Sequence, residues 1–134
     1  MFPLRAECRV GPHGRRCDGR ANDTVCCGTV RFEQINEETC RIKWDLTGCG
    51  APGLHGFHIH EKADFSDGCK SAGPHYNPHG KSHGGPNDGE RHVGDLGNIT
   101  VDADGNSRGE MEDRLVKLFG ETSVMGRSVM VHEQ

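Results

Sequence analysis

Gly53-Leu54-His55-Gly56-Phe57-His58-Ile59-His60 is the stretch on which the reading of the fold turns. Side chains along a strand point alternately to opposite faces. Phe57 and Ile59 then share one face, and His58 and His60 share the other. The same period of two appears on either side of this segment. In Thr29–Glu33, Val30 and Phe32 lie on one face. Cys40, Ile42, Trp44 and Leu46 alternate with Arg41, Lys43, Asp45 and Thr47, the pattern of a half-buried strand. Ala6–Val10 reads as a short first strand and Leu96–Val101 as a later one. Gly126–Glu133 reads as the last, with Val129 and Val131 on one face and Met130 and His132 on the other. Asp104-Gly105 marks a turn. Leu115, Val116, Leu118 and Phe119 form an apolar stretch that fits a strand or a short helix. The expectation is an antiparallel all-β domain, a sandwich or a barrel.

Residues 61–91 carry no apolar period and are rich in Gly, Pro, Asp and Asn. A loop of that length in a compact domain is functional or pinned. Histidines and Cys69 are there to pin it.

The chain has 134 residues, enough for one domain over 1–134 with one modest core. Its net charge of −4 counts against non-specific nucleic-acid binding, and there is no basic membrane patch. No apolar run reaches the roughly 18 residues a spanning helix needs. The opening MFPLRAECRV lacks the apolar core of a signal peptide, which favours the cytoplasm over an extracellular location unless the chain is a processed form. Seven cysteines is an odd number, so at least one is free, metal-bound or paired outside the chain. No C-x-x-C pair supports a zinc finger.

Nine histidines is an excess, and six of them form a pattern with one aspartate. His58 and His60, two residues apart on one strand face, can converge on one ion. His75, His83 and His92 follow in the long loop, Asp95 comes three residues after His92, and His132 lies on the last strand. Imidazole suits copper and zinc alike, and a carboxylate suits zinc better. Three nitrogens and one oxygen make a closed tetrahedral zinc site. Four imidazoles with an open face suit a copper that meets a small ligand. H-x-H by itself is weak evidence, because isolated histidines are mostly surface or core residues.

Longer strings carry more. Gly53-Leu54-His55-Gly56-Phe57-His58-Ile59-His60-Glu61 resembles the copper-ligand strand of the copper/zinc superoxide dismutase family. Gly68-Cys69-Lys70-Ser71-Ala72-Gly73-Pro74-His75-Tyr76-Asn77-Pro78 is similar to its disulfide and bridging-histidine segment. His83-Gly84-Gly85-Pro86 and Arg91-His92-Val93-Gly94-Asp95-Leu96-Gly97-Asn98 resemble its zinc loop, and Gly126–Glu133 its last ligand strand. The match runs from about Gly28 to the end of the sequence.

The resemblance implies a Greek-key, immunoglobulin-like β-barrel or sandwich with a long metal-binding loop. It implies copper on His58, His60, His75 and His132, the residues that would also carry the catalysis. It implies zinc on His75, His83, His92 and Asp95, with His75 bridging the two ions. His55 has a structural counterpart, pointing away from the metals; His13 and His79 match nothing and read as surface. The implied activity is disproportionation of superoxide anion to oxygen and hydrogen peroxide, with the bridging histidine exchanging a proton.

Three departures bear on this. The family continues past the position of Gln134 with a charged loop and a further strand. These carry a carboxylate linking the two metal shells, an arginine beside the copper and the usual partner of the Cys69 position. On this sequence those elements are expected to be missing, which raises the alternative of a metal-binding domain with little turnover. Lys62 and Ala63 replace the usual hydrophobic and glycine residues after Glu61, which counts against the family's usual homodimer interface. Residues 11–24 read as an insertion bringing Cys17, near Cys26 and Cys27, with Cys40 and Cys49 following. Either one of these cysteines pairs with Cys69, or all are ordinary thiols, the reading favoured by cysteine patterns alone. Asn22-Asp23-Thr24 and Asn98-Ile99-Thr100 match glycosylation acceptors, which matter only in a secreted chain.

Overall fold

A computed structural model describes residues 2–11, 26–64, 66 and 71–132. Among the described residues, seven strands form two antiparallel sheets: β1 (Leu4–Val10), β2 (Cys27–Gln34), β3 (Cys40–Thr47), β4 (Gly53–His60), β5 (Asp95–Val101), β6 (Ser107–Asp113) and β7 (Ser128–Val131). One sheet has the order β1-β2-β3-β6 and the other β5-β4-β7. The chain thus leaves the first sheet after β3, builds β4 and β5 in the second, and returns to place β6 beside β3. The expected all-β Greek-key sandwich is the observed architecture. No helix among the described residues is long and apolar enough to cross a membrane.

The alternation read from sequence sets the core. Val30 and Phe32 lie opposite Trp44 and Ile42 across β2 and β3. Their inner face meets Phe57, Ile59, Ile99 and Val101 of the other sheet, all nearly inaccessible. Trp44 and Phe57 touch across the sandwich, ring centroids 5.5 Å apart. Trp44 finds room because residue 109, opposite it on β6, is glycine: a Cβ there would lie 2.7 Å from Trp44 Cζ2. Outside, charges alternate in sign across the strands, with Arg5–Glu33, Arg41–Glu112 and Arg108–Asp45 pairs. These are exposed and each contributes little, about 0–1 kcal/mol.

Two segments differ from the sequence reading. Strand β6 carries one large apolar residue, Met111, among charges that pair with β3, so periodicity does not reveal it. The stretch Leu115–Phe119 is neither strand nor helix. Its amides are satisfied by side chains instead: Asp113 Oδ2 accepts from Leu115 and Val116, and Gln34 Oε1 accepts from Leu118. Val116 and Leu118 are buried without a ladder, so the apolar run marks a crossing between sheets.

The cysteines also depart from the ordinary-thiol reading. Cys26 and Cys49 are joined, Cys27 is disulfide-bonded as well, and Cys8 and Cys40 are free. Cys69, Cys17, His13 and all but Gly11 of the expected insertion lie outside the described residues.

The long loop is pinned to β4 by its backbone. Glu61 and Lys62 amides donate to Pro74 and Ala72 carbonyls, and Tyr76 to Ile59. Ile59 in turn donates to Gly94, and Gly94 to Tyr76. Gly94 must be glycine here, because a Cβ would overlap the Ile59 carbonyl oxygen. This three-way junction brings His75 and His92 back to the histidine face of β4.

Candidate metal centre

Four elements deliver the site: β4 supplies His58 and His60, the loop supplies His75, His83 and His92, Asp95 opens β5, and His132 follows β7. β7 pairs with β4 so that His58 faces Met130 and His60 faces Ser128. His132 then extends past β7, its amide donating to Gly56 O at 2.9 Å. Gly56 leaves the space: a Cβ there would lie 3.0 Å from His58 Cε1 and 3.4 Å from His132 Cδ2. The pairing of β4 with β5 shifts register between Gly56 and His58.

Two donor groups result, each with its ligand atoms within 4.8 Å of one another: His58, His60, His75 and His132, and His75, His83, His92 and Asp95. All seven residues expected from sequence are therefore brought together, in the two expected sets, with His75 in both.

In the second group one oxygen is central. Asp95 Oδ1 lies 2.9 Å from His75 Nδ1, 3.1 Å from His83 Nδ1 and 3.3 Å from His92 Nδ1. Ligands about 2.0–2.1 Å from a tetrahedral zinc stand about 3.3 Å apart along the tetrahedron's edges. The spacing fits one small ion held by three nitrogens and an oxygen. The other carboxylate oxygen, Oδ2, accepts from the Gly84 and His92 amides at 3.0 and 2.9 Å. Asp95 is fully buried. Burial pushes its carboxyl up, but those amides and the His75 ring outweigh it and hold it at about 2. It is an anion aimed at three imidazoles.

In the first group the unsatisfied atoms identify the site. His58 Nδ1, His60 Nε2 and His132 Nε2 are buried with no hydrogen-bond partner, as is His92 Nδ1 in the second group. Orphaned buried polar atoms are rare and call for an explanation such as an ion. The His60 tautomer follows from its other nitrogen. Nδ1 lies 2.8 Å from the Gly73 carbonyl oxygen, which can only accept, so Nδ1 carries the proton and Nε2 a lone pair. His75 turns Nδ1 to Asp95, leaving Nε2 for the first group. His58 and His75 stack with centroids 4.0 Å apart. These donors fit copper and zinc as the sequence implied.

Burial makes the His58, His75 and His132 rings resist protonation. Burial, then His75 and His132, lower His58 to about 4, and burial chiefly lowers His75 and His132 too. Between His58's ordinary 6.5 and about 4 the unfolded chain therefore binds a proton that the folded chain refuses. This stability is present above pH 6.5 and is lost as pH falls through 4. Asp95 acts lower, from 3.8 down through about 2. The urea midpoint of the metal-free chain is expected to fall steadily from pH 7 to pH 4; a flat profile contradicts it.

His55 points to the opposite side, as expected, and is 3% exposed. His79 is exposed. Sequence reasoning missed Arg91 and Asp113, whose buried ion pair closes the back of the zinc loop with an Nη1–Oδ1 distance of 2.6 Å. Arg91 adjoins His92 in the matched string, but nothing in the sequence singles out Asp113.

Known proteins were compared with this chain. The family model described as copper/zinc superoxide dismutase (SODC) matches residues 26–134. A Cu-Zn superoxide dismutase of Cordyceps militaris is 54% identical over 111 residues, 82% of this chain and 72% of the relative. One from Kluyveromyces lactis is 53% identical over the same shares. The crystal structure of the clock protein EA4 superposes with a TM-score of 0.84 at 38% identity, covering 100% of this chain and 78% of that one. With two donor sets joined through His75 and a family match over most of its length, the chain belongs to the copper/zinc superoxide dismutase family.

Proposed function

We propose that the chain disproportionates superoxide: two superoxide anions and two protons give one oxygen and one hydrogen peroxide. The observation that carries this is that His75 belongs to both donor sets, with its Nδ1 turned to Asp95. Copper would be held by His58, His60, His75 and His132, and zinc by His75, His83, His92 and Asp95. Bound copper supplies one-electron chemistry in both directions, and zinc has no redox chemistry of its own.

The chain's own residues do the rest. Asp95 holds His75 Nδ1 in place, so His75 Nε2 is the ring atom free to hold a proton and hand it to the reduced anion. The Gly73 carbonyl keeps His60 in the tautomer that presents Nε2. Burial of the first group keeps His58, His75 and His132 neutral at physiological pH, which leaves their lone pairs available.

Pulse radiolysis of the copper- and zinc-loaded chain tests this. Superoxide decay is expected to be first order in both chain and superoxide, and to survive a chelator that silences free copper. Decay no faster than that of chelated copper sinks the proposal and leaves a metal-binding domain without turnover.

A further inference from the structure

We propose that the Cys26–Cys49 disulfide is a positioning element for His132, acting through the Ala51 carbonyl and the His55 ring. The proposal rests on the reading of His132 as a copper ligand.

His132 is poorly held by the sheet. β7 is four residues long and, among the described residues, pairs on one side only, with β4. The His132 peptide is gripped at two points beyond the ladder. Its amide donates to Gly56 O, and its carbonyl oxygen lies 2.9 Å from His55 Nδ1. The second grip is as good as the placement of the His55 ring. That ring is buried, and its other nitrogen, Nε2, lies 2.8 Å from the Ala51 carbonyl oxygen. Ala51 therefore sets the ring that sets the His132 backbone.

Ala51 lies in the connection between β3 and β4, a segment that by its composition resists a fixed shape. Gly48, Gly50 and Gly53 all have left-handed backbone angles, with φ of 69°, 84° and 126°. Such glycines lose more conformational freedom on ordering than other residues. Cys49 anchors the segment at two points. Its amide donates to Gly105 O at 2.8 Å, and its sulfur is bonded to Cys26, immediately before β2. Cys26 and Cys49 are both buried in the core. Ala51 is two residues from that bond. Cutting it frees the glycine-rich connection, and the freedom reaches His132 through one imidazole.

The zinc set lies elsewhere. His75, His83, His92 and Asp95 are fixed by the junction of Ile59, Tyr76 and Gly94 and by Arg91. A disulfide acting only on global stability disturbs neither metal's coordination in the folded state. A disulfide acting on His132 disturbs copper and spares zinc.

The test uses Cys26→Ala/Cys49→Ala, His55→Phe and the triple variant, each in the full chain. Copper affinity is measured by chelator competition, the cupric electron paramagnetic resonance spectrum is recorded, and zinc affinity is measured without copper. The alanine pair is expected to lose about 10–100-fold in copper affinity, the usual cost of disturbing a ligand's support. Its spectrum should shift and its zinc affinity stay within about twofold of the parent. His55→Phe should shift the spectrum in the same direction, and the triple variant no further than His55→Phe alone, because coupled groups are not additive. An unchanged spectrum in His55→Phe or in the alanine pair overturns the proposal, as do additive effects. If the alanine pair does not fold, Cys26→Ala alone breaks the bond and is read the same way. Failure of the parent itself to show a nitrogen-ligated copper spectrum strikes the underlying reading of His132 instead.

Discussion

Arg91→Met is expected to cost the folded chain about 3–5 kcal/mol, the range for removing one partner of a buried ion pair. Neither side chain reaches solvent: they are 0% and 2% exposed. The pair is bidentate, Nη1 to Oδ1 at 2.6 Å and Nη2 to Oδ2 at 3.2 Å. The guanidinium also donates to the carbonyls of Pro86, His92 and Val93, at 2.8, 3.0 and 2.9 Å. One side chain thus ties the zinc loop to the end of β6. Methionine fills much of the volume but leaves the Asp113 carboxylate and three carbonyls without that donor. Among the described residues, Asp113 keeps the amides of Leu115 and Val116. Urea unfolding of the metal-free variant measures the loss, and zinc affinity should fall with it, since His92 and Asp95 follow Arg91 directly. Arg5→Ala on the outer face, whose pair with Glu33 is exposed, should stay within about 0.5 kcal/mol of the parent. Equal effects at the two positions would show that the buried pair does not brace the loop.

His75→Ala is expected to have the largest effect on activity. Every other ligand serves one donor set; His75 serves both. Changes to groups that only support a ligand cost about 10–100-fold in metal affinity or activity, so loss of the shared ligand should exceed 100-fold. The fold should survive, because the ring is partly exposed and the loop remains held by backbone bonds of Tyr76 and Gly94. The measurement is superoxide decay by pulse radiolysis with both metals supplied, alongside the zinc content. His83→Ala makes the contrast. Its side chain is 61% exposed and belongs to the zinc set alone, so it should lower zinc affinity while leaving the copper spectrum largely intact. A His75→Ala chain that retains most of the parent's rate would remove the bridge from the account.

The parts of the structure that were legible in the sequence are those where one residue type has one physical meaning. Alternation in Cys40–Thr47 and Gly53–His60 specifies a face, and the sheets use those faces as read. The seven candidate metal-binding residues are legible because histidine and aspartate at those spacings sit inside long strings that resemble a family's. What stayed hidden depends on partners distant in sequence. Strand β6 is held by its ladder to β3, and its side chains are mostly charges whose partners, as in Arg108–Asp45, lie 63 residues away, so it leaves no apolar period. Leu118 is apolar for burial, yet its amide is satisfied by Gln34, 84 residues away, so the run forms neither expected element. The Cys26–Cys49 bond lies at the end of the β2–β3 ladder, where Cys27 pairs with Thr47, and cysteine spacing does not specify it. Asp113, likewise, acquires its role only when β6 brings it beneath the loop.

On the proposed function, His75 joins a copper set to a zinc set. Anomalous diffraction from crystals of the loaded protein, collected on both sides of the copper and zinc absorption edges, tests it most directly. One copper is expected against His58, His60, His75 and His132, and one zinc against His75, His83, His92 and Asp95, with the His75 ring between them. Two ions that do not share His75, or a single ion in either set after loading with both metals, would contradict it.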